Sequence, residues 1–194
     1  ELDIVKRIPF GGGLGGGSSD AATVLLVLNK LWGLNLTRSE LLTLAVSLGA
    51  DVPFFVFGRS AFAEGIGEQL VPLELAEAWY LVVHPNCLVS TPTVFGDPEL
   101  TRNSKPIKIA DFSLYEGQND LQEVVCRSYP EVRSALDWLG QFGTASMSGS
   151  GSGVFCSFTG FGQANAALAQ VPEGWFGFVA RGLDCHPLVD WIGD

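Results

Sequence analysis

Six glycines in seven residues, Gly11 to Gly13 and Gly15 to Gly17 around Leu14, run directly into Ser18 and Ser19, and a second cluster alternates serine with glycine from Ser148 to Gly153. Glycine makes up 24 of the 194 residues, about 12% where ~7% is ordinary, and the excess is concentrated in these two places. A glycine-rich turn entering a helix N-terminus offers unpaired backbone N–H groups and a partial positive charge, with no side chains to block approach, so it can cradle a phosphate. The competing explanation is tight packing or turns with positive φ. Six glycines that end in Ser-Ser at a helix start favour the phosphate. Asp51 is the third candidate. It follows the end of an expected helix, where the dipole disfavours a carboxylate, and Pro53 should hold Val52 extended. A carboxylate there suggests a functional partner, or else an Asx turn at a helix–strand junction.

Several phosphate and nucleophile motifs fail on context. Gly11, Gly13 and Gly16 satisfy G-x-G-x-x-G, but a dinucleotide fold needs a second parallel strand ending in an acidic residue about 20 positions on. The chain supplies a second helix instead, and its Glu40 is explained by capping. No Gly-Lys-Ser/Thr closes the loop, neither HRD nor DFG occurs, and no serine sits in a G-x-S-x-G elbow.

The elements that must position these residues follow from periodicity. Ser18 and Ser19 are N-cap candidates for a helix over 19–32, with Val24, Leu25, Leu28, Leu31 and Trp32 at helical spacing. Gly33 and Asn35 stop it. Thr37-Arg-Ser-Glu40 is a capping box for a second helix that ends at Gly49. VPFFVF (52–57), SAFAE (60–64), GIGEQLVPL (65–73) and WYLVVHP (79–85) predict antiparallel strands. Helices are predicted over 119–126 and from Pro130 to Phe142, the latter with proline in its first turn. A strand near Ala145, the serine–glycine loop, a strand over 153–158, a helix over 163–170 and a strand over 175–181 complete an α+β pattern, with a boundary expected between Pro85 and Asn119.

Eleven Lys and Arg against 21 Asp and Glu give a net charge of −10, which argues against nucleic-acid binding through phosphate neutralisation. An anionic ligand must be held by local devices. No apolar run approaches the roughly 18 residues of a membrane span. Cys87, Cys126, Cys156 and Cys185 show no metal-type spacing and read as reduced thiols of a cytosolic-type protein. Cys185 beside His186 is read as structural, and His84 before Pro85 as a packing residue at a strand end.

Taken in order, PFGGGLGGGSSDAA (9–22), LGADVPFFVFGRSAFAEGIGE (48–68), HPNCLVSTPTVF (84–95), NDLQEVV (119–125) and MSGSGSGVF (147–155) resemble the successive blocks of the 4-diphosphocytidyl-2-C-methyl-D-erythritol kinase family. That family lies within the galactokinase, homoserine kinase, mevalonate kinase and phosphomevalonate kinase superfamily. The glycine–serine blocks point to the superfamily, and GADVPFF with the STP segment points to this member. The resemblance spans essentially the whole chain but leaves out the family's N-terminal part, with its catalytic lysine, so an isolated chain of this length is expected to lack activity.

The resemblance implies a two-domain α+β fold: the remainder of an N-terminal ATP-binding domain over 1–83 and a C-terminal ferredoxin-like α/β sandwich over 84–194. It implies phosphorylation by ATP, with Mg²⁺, of the tertiary hydroxyl of a small molecule carrying a cytidine diphosphate group, in a bacterial-type cytoplasm. It assigns Pro9, Phe10, Gly11, Gly12, Gly13, Leu14, Gly15, Gly16, Gly17, Ser18 and Ser19, with Lys6 and Asp20, to the ATP phosphates. Asp51 becomes the catalytic acidic residue. Ser148, Gly149, Ser150 and Gly151 support the phosphate loop, and Thr91 and Phe95 lie near the cytidine end of the substrate. By its residue type alone Phe95 is equally a core aromatic or a base-stacking platform. Asp20, which is Asn in some family members, would need Mg²⁺ or water beside the phosphates. Metal ligands and oligomeric state are not assigned. Another kinase of the superfamily, of homoserine or mevalonate type, and a non-catalytic ligand-binding relative are the alternatives.

Overall fold

The computed structural model describes residues 2–65, 67–104 and 119–191. Its contacts divide the chain into two compact units, a helical one of residues 15–76 and 183–194 and a sheet-bearing one of residues 1–14 and 77–182.

The helical unit begins with α1 (Gly16–Leu31) and α2 (Arg38–Leu48). Between them the buried Asn29 accepts from Leu36 N–H at 2.9 Å and donates to Leu36 O at 3.1 Å, so its amide ties down the connection. The capping box forms as its spacing predicts: Thr37 N–H donates to Glu40 Oε2 at 2.8 Å and Glu40 N–H to Thr37 Oγ1 at 3.3 Å. These bonds from Thr37 also lower the Glu40 pKa.

Two expectations fail here. The N-cap of α1 is Gly15, left-handed at φ 65°, so Ser18 and Ser19 lie inside the first turn instead of capping it. VPFFVF is not a strand but a helix, α3 (Val52–Phe57), with Pro53 in its first turn. Its aromatic and β-branched composition favours strand, yet Val52, Pro53 and Val56 are the buried positions, a helical spacing. Val52 and Val56 close a core with Ala22, Leu26, Leu41 and Ala45. Burial of that face, roughly 1.5–3 kcal/mol per large side chain, overrides a weak local preference. Arg38 then ties down the far end of α3, donating to Val56 O, Phe57 O and Val189 O. A hairpin follows, β1 (Ala61–Glu64) antiparallel to β2 (Gln69–Pro72). The strand expected over 65–73 is confined to those four residues, and its Ile66 lies outside the described residues.

The sheet-bearing unit contains β3 (Trp79–His84), α4 (Thr91–Gly96), α5 (Asp120–Ser128), α6 (Pro130–Leu139), β4 (Ala145–Met147), β5 (Val154–Phe158), α7 (Phe161–Leu168) and β6 (Phe176–Arg181). The strands form one antiparallel sheet in the order β4-β5-β3-β6, with Leu81 paired to both Cys156 and Val179. This is the ferredoxin-like arrangement, in which the first and third strands of the unit lie at the centre. Leu81, Val83, Val154 and Cys156 form the core with Val125 of α5, Val132, Ala135 and Leu139 of α6, and Ala167 of α7. Helix α4 was not expected. Its signals were present in Ser90, whose hydroxyl caps Thr93 N–H, and in Pro92 in the first turn. Among the described residues no helix is long and apolar enough to cross a membrane.

Candidate functional site

The two glycine clusters meet within the sheet-bearing unit, where the residues Pro9 to Leu14 run beside Ser148 to Gly153. Ser152 N–H donates to Gly11 O at 3.0 Å, Gly153 N–H to Gly12 O at 2.9 Å, and Ser148 Oγ to Gly13 O at 2.7 Å. Three successive carbonyls of the first loop are thus held by the second. In a planar trans peptide the next N–H points opposite the carbonyl, so the N–H groups of Gly13 and Leu14 are turned away from the supporting loop. Gly11 and Gly13 take φ of 67° and 65°, and a Cβ on Gly13 would fall 2.1 Å from Ser148 O. Gly149 and Gly151 also have positive φ, and a Cβ on Gly153 would come within 2.5 Å of Gly12 O. No side chain fits between these backbones.

Asn119 sets the supporting loop. Its side-chain amide donates to Met147 O at 2.9 Å and Gly149 O at 2.8 Å, while its Oδ1 caps α5 through Leu121 N–H. Sequence reasoning found Asn119 only as a helix start. Its second task joins residues about 30 positions apart, for which the sequence carries no signal. Thr91, first residue of α4, meets Ser150 Oγ at 2.7 Å. Phe95 at the other end of α4 is 51% exposed, so it is not a core aromatic, and its ring is available at the surface. Lys6 and Phe10 are near each other, with Nζ 5.3 Å from the ring centroid.

In the helical unit the loop continues as Gly15 to Ser19. Gly15 is left-handed and has no side-chain cap to offer the first turn of α1; a Cβ there would lie 2.8 Å from the Phe55 ring of α3. Ser19 N–H closes the first intrahelical bond to Gly15 O, which leaves the N–H groups of Gly16, Gly17 and Ser18 directed out of the helix end, as in any uncapped first turn. A Cβ on Gly17 would meet nothing within 4 Å. Asp20 follows one residue after Ser19 in α1. Asp51 is exposed and is the N-cap of α3, with helical φ and ψ. The expectation that it sits in an unfavourable dipole is therefore corrected: it lies beyond α2 but also at the start of α3, the end that favours a carboxylate.

His84, read from the sequence as a packing residue, is buried and hydrogen-bonded. Its Nε2 is 3.0 Å from Ser152 Oγ and its Nδ1 accepts Asn86 N–H at 3.1 Å. Burial pushes its pKa below the ordinary histidine value, against a smaller opposing pull from the Asn86 side chain. The thiols of Cys87, Cys126 and Cys156 are pushed up, mainly by burial, which suits inert packing groups and not nucleophiles.

Comparison with known proteins agrees with this architecture. Residues 1–59 match the model described as the GHMP kinases N terminal domain, and residues 101–176 the model described as GHMP kinases C terminal. A 4-diphosphocytidyl-2-C-methyl-D-erythritol kinase of Thiobacillus denitrificans is 57% identical over 98% of this chain and 69% of the relative. The protein of the same name from Nitrosospira multiformis is 58% identical over 97% of this chain and 65% of its own length. The chain thus spans about two thirds of the length of these relatives. A crystal structure of 4-(cytidine 5'-diphospho)-2C-methyl-D-erythritol kinase superposes with a TM-score of 0.77 at 37% identity, covering 91% of this chain and 68% of that one. A homoserine kinase from Cytophaga hutchinsonii shares the fold at a TM-score of 0.63 and 19% identity, covering 93% of this chain and 69% of its own. On its interlocked glycine loops, its sheet order and these likenesses together, the chain belongs to the 4-diphosphocytidyl-2-C-methyl-D-erythritol kinase family of the GHMP kinases.

Proposed function

We propose that the protein transfers the γ-phosphoryl group of ATP to the tertiary hydroxyl of 4-diphosphocytidyl-2-C-methyl-D-erythritol, a step of the non-mevalonate isoprenoid route. The observation that carries this reading is the uncapped first turn of α1 behind a left-handed Gly15, with the free approach at Gly17. Phosphoryl transfer asks chiefly for positioning and for stabilisation of charge on the transferred group, and backbone N–H groups supply both. In this reading Pro9 to Ser19, with Lys6 and Asp20, serve the ATP phosphates, and Ser148 to Gly151 hold the loop in place. Asp51 orients the acceptor hydroxyl and takes its proton. Thr91 and Phe95 face the cytidine end, Phe95 as a stacking platform. Residues 1–83 are the remainder of the ATP-binding domain and 84–194 the C-terminal domain, whose sheet also takes in β3. In this reading the setting is a bacterial-type cytoplasm.

In this reading Mg²⁺ accompanies ATP and needs no dedicated protein cage. Among the described residues no three His, Cys, Asp or Glu side chains come together as ligands, and Mg²⁺ is commonly held by substrate phosphates, water and one or two carboxylates. In this reading Asp20, the residue after Ser19, would be such a carboxylate. The ion would neutralise charge on the phosphates.

The test is turnover by the complete protein offered 4-diphosphocytidyl-2-C-methyl-D-erythritol, homoserine or mevalonate with MgATP. Phosphorylation of the cytidyl compound alone is expected, and Asp51→Asn should lower kcat by about 10²–10⁴-fold, the contribution of a positioned acid–base group. Preferred turnover of homoserine or mevalonate would overturn the substrate, and near-normal turnover by Asp51→Asn would reduce Asp51 to a turn residue.

A further inference from the structure

His84 ends β3, is 5% exposed and lies against the first glycine loop: its Cδ2 is 3.3 Å from where a Cβ on Gly12 would be. Its polar contacts are directional. The Ser152 hydroxyl is 2.6 Å from the Cys87 carbonyl. A carbonyl only accepts, so the single hydroxyl proton goes there. Ser152 Oγ then has only lone pairs to offer the ring, and Nε2 must be the protonated nitrogen. Nδ1, facing the Asn86 N–H, must be the acceptor. The ring is therefore a neutral imidazole held in one tautomer.

Ser152 passes that order on to the loop. It is fully buried; its side chain is fastened to the end of β3, and its own N–H donates to Gly11 O while the following N–H donates to Gly12 O. His84 thus reaches the loop twice, by packing on Gly12 and through Ser152. The direction of the Gly12 carbonyl sets the direction of the Gly13 N–H in the same peptide plane, and a donor loses strength steeply as it swings out of line with its acceptor. A small change in the depth of Ser152 would therefore be felt at a bound phosphate.

We propose that His84 is a positioning residue for nucleotide binding, its Nε2–H and Cδ2 edge holding Ser152 and Gly12 so that the Gly11–Leu14 peptides present their N–H groups to the phosphates of ATP. This rests on the reading of Gly11 to Ser19 as the phosphate loop. The ring does not touch the nucleotide. It acts through Ser152 and Gly12, and it acts as the neutral tautomer.

The test uses the complete protein with MgATP and the cytidyl substrate. His84→Phe keeps a ring of similar size and removes both polar contacts, whereas His84→Gln retains an N–H donor toward Ser152. The KM for ATP should rise about tenfold in His84→Phe, a loss of about 1.4 kcal/mol. The KM for the cytidyl substrate should stay within about twofold. His84→Gln should recover most of the ATP affinity. Ring ¹⁵N NMR of the unaltered protein should show the proton on Nε2. Unchanged ATP KM in a folded His84→Phe protein, equal losses for both substrates, no rescue by glutamine, or a ring protonated on Nδ1 would each overturn the proposal. If His84→Phe does not fold, the tautomer and the glutamine variant decide it. Gly17→Val separates the two levels: normal ATP affinity there defeats the phosphate loop itself, whereas weakened ATP at Gly17 with normal ATP at His84→Phe defeats only the role of His84.

Discussion

Gly13 and Gly17 lie four residues apart in one glycine run, yet a methyl group on the first would fall 2.1 Å from Ser148 O and one on the second would meet nothing within 4 Å. The first glycine is demanded by the protein. Its positive φ and its contact with the supporting loop both exclude a side chain. At Gly17 no neighbour in the protein excludes a side chain, so a glycine there is not required by packing. The glycine-rich loop therefore contains two kinds of glycine, one required by the contacts of the fold and one that those contacts leave open.

The largest effect that would test this contrast is on folding. Gly13→Val should destabilise the protein by about 2–5 kcal/mol, from left-handed strain and overpacking together, in chemical denaturation without any nucleotide. Stability close to that of the unaltered protein would mean that the supporting loop can retreat and that the interlock is loose. Next in size, Gly17→Val should weaken ATP binding about tenfold or more, ~1.4 kcal/mol per decade, as read by calorimetric titration, with denaturation midpoints almost unmoved. A parallel loss of stability would erase the distinction between the two glycines.

Smaller effects sharpen the picture of what supports the loop. Asn119→Ala removes the cap of α5 together with the amide that holds Met147 O and Gly149 O, and should lower stability by about 1–2 kcal/mol, with a further loss of ATP affinity that a plain helix cap would not cause. The smallest is pH-dependent. The folded-state pKa of His84 lies below the ordinary 6.5 because of burial, so between those two values the unfolded chain binds more protons than the folded one. The His84 contribution to stability is present above pH 6.5 and declines as the pH falls through that window. Melting temperatures should show this decline in the unaltered protein and a shallower one in His84→Gln; identical slopes would mean that the ring titrates as freely as in the unfolded chain.

What was legible beforehand shares a physical character. The capping box at Thr37 and Glu40, the proline in the first turn of α6, the Asn119 cap and the strands β3 to β6 are marked by hydrogen bonds, residue type or flanking Gly and Pro within a few residues, and such signals are written locally. The two glycine clusters were equally visible because composition alone marks them. Helix α3 was not legible. VPFFVF carries strand-forming residues, and only the apolar faces of α1 and α2 decide that Val52 and Val56 should point the same way.

The sequence by itself therefore determined the inventory: the family, the two loops, the helices with caps and the residues that can carry charge. Tertiary structure decided which glycines face protein and which face open space, because Gly13 learns of Ser148 only across 135 residues of chain. It also decided that His84 is a hydrogen-bonding group and not mere packing, since Ser152 lies 68 residues away. Contacts at that separation arise from the closing of the sheet and its helices around a shared core, and no local pattern encodes them.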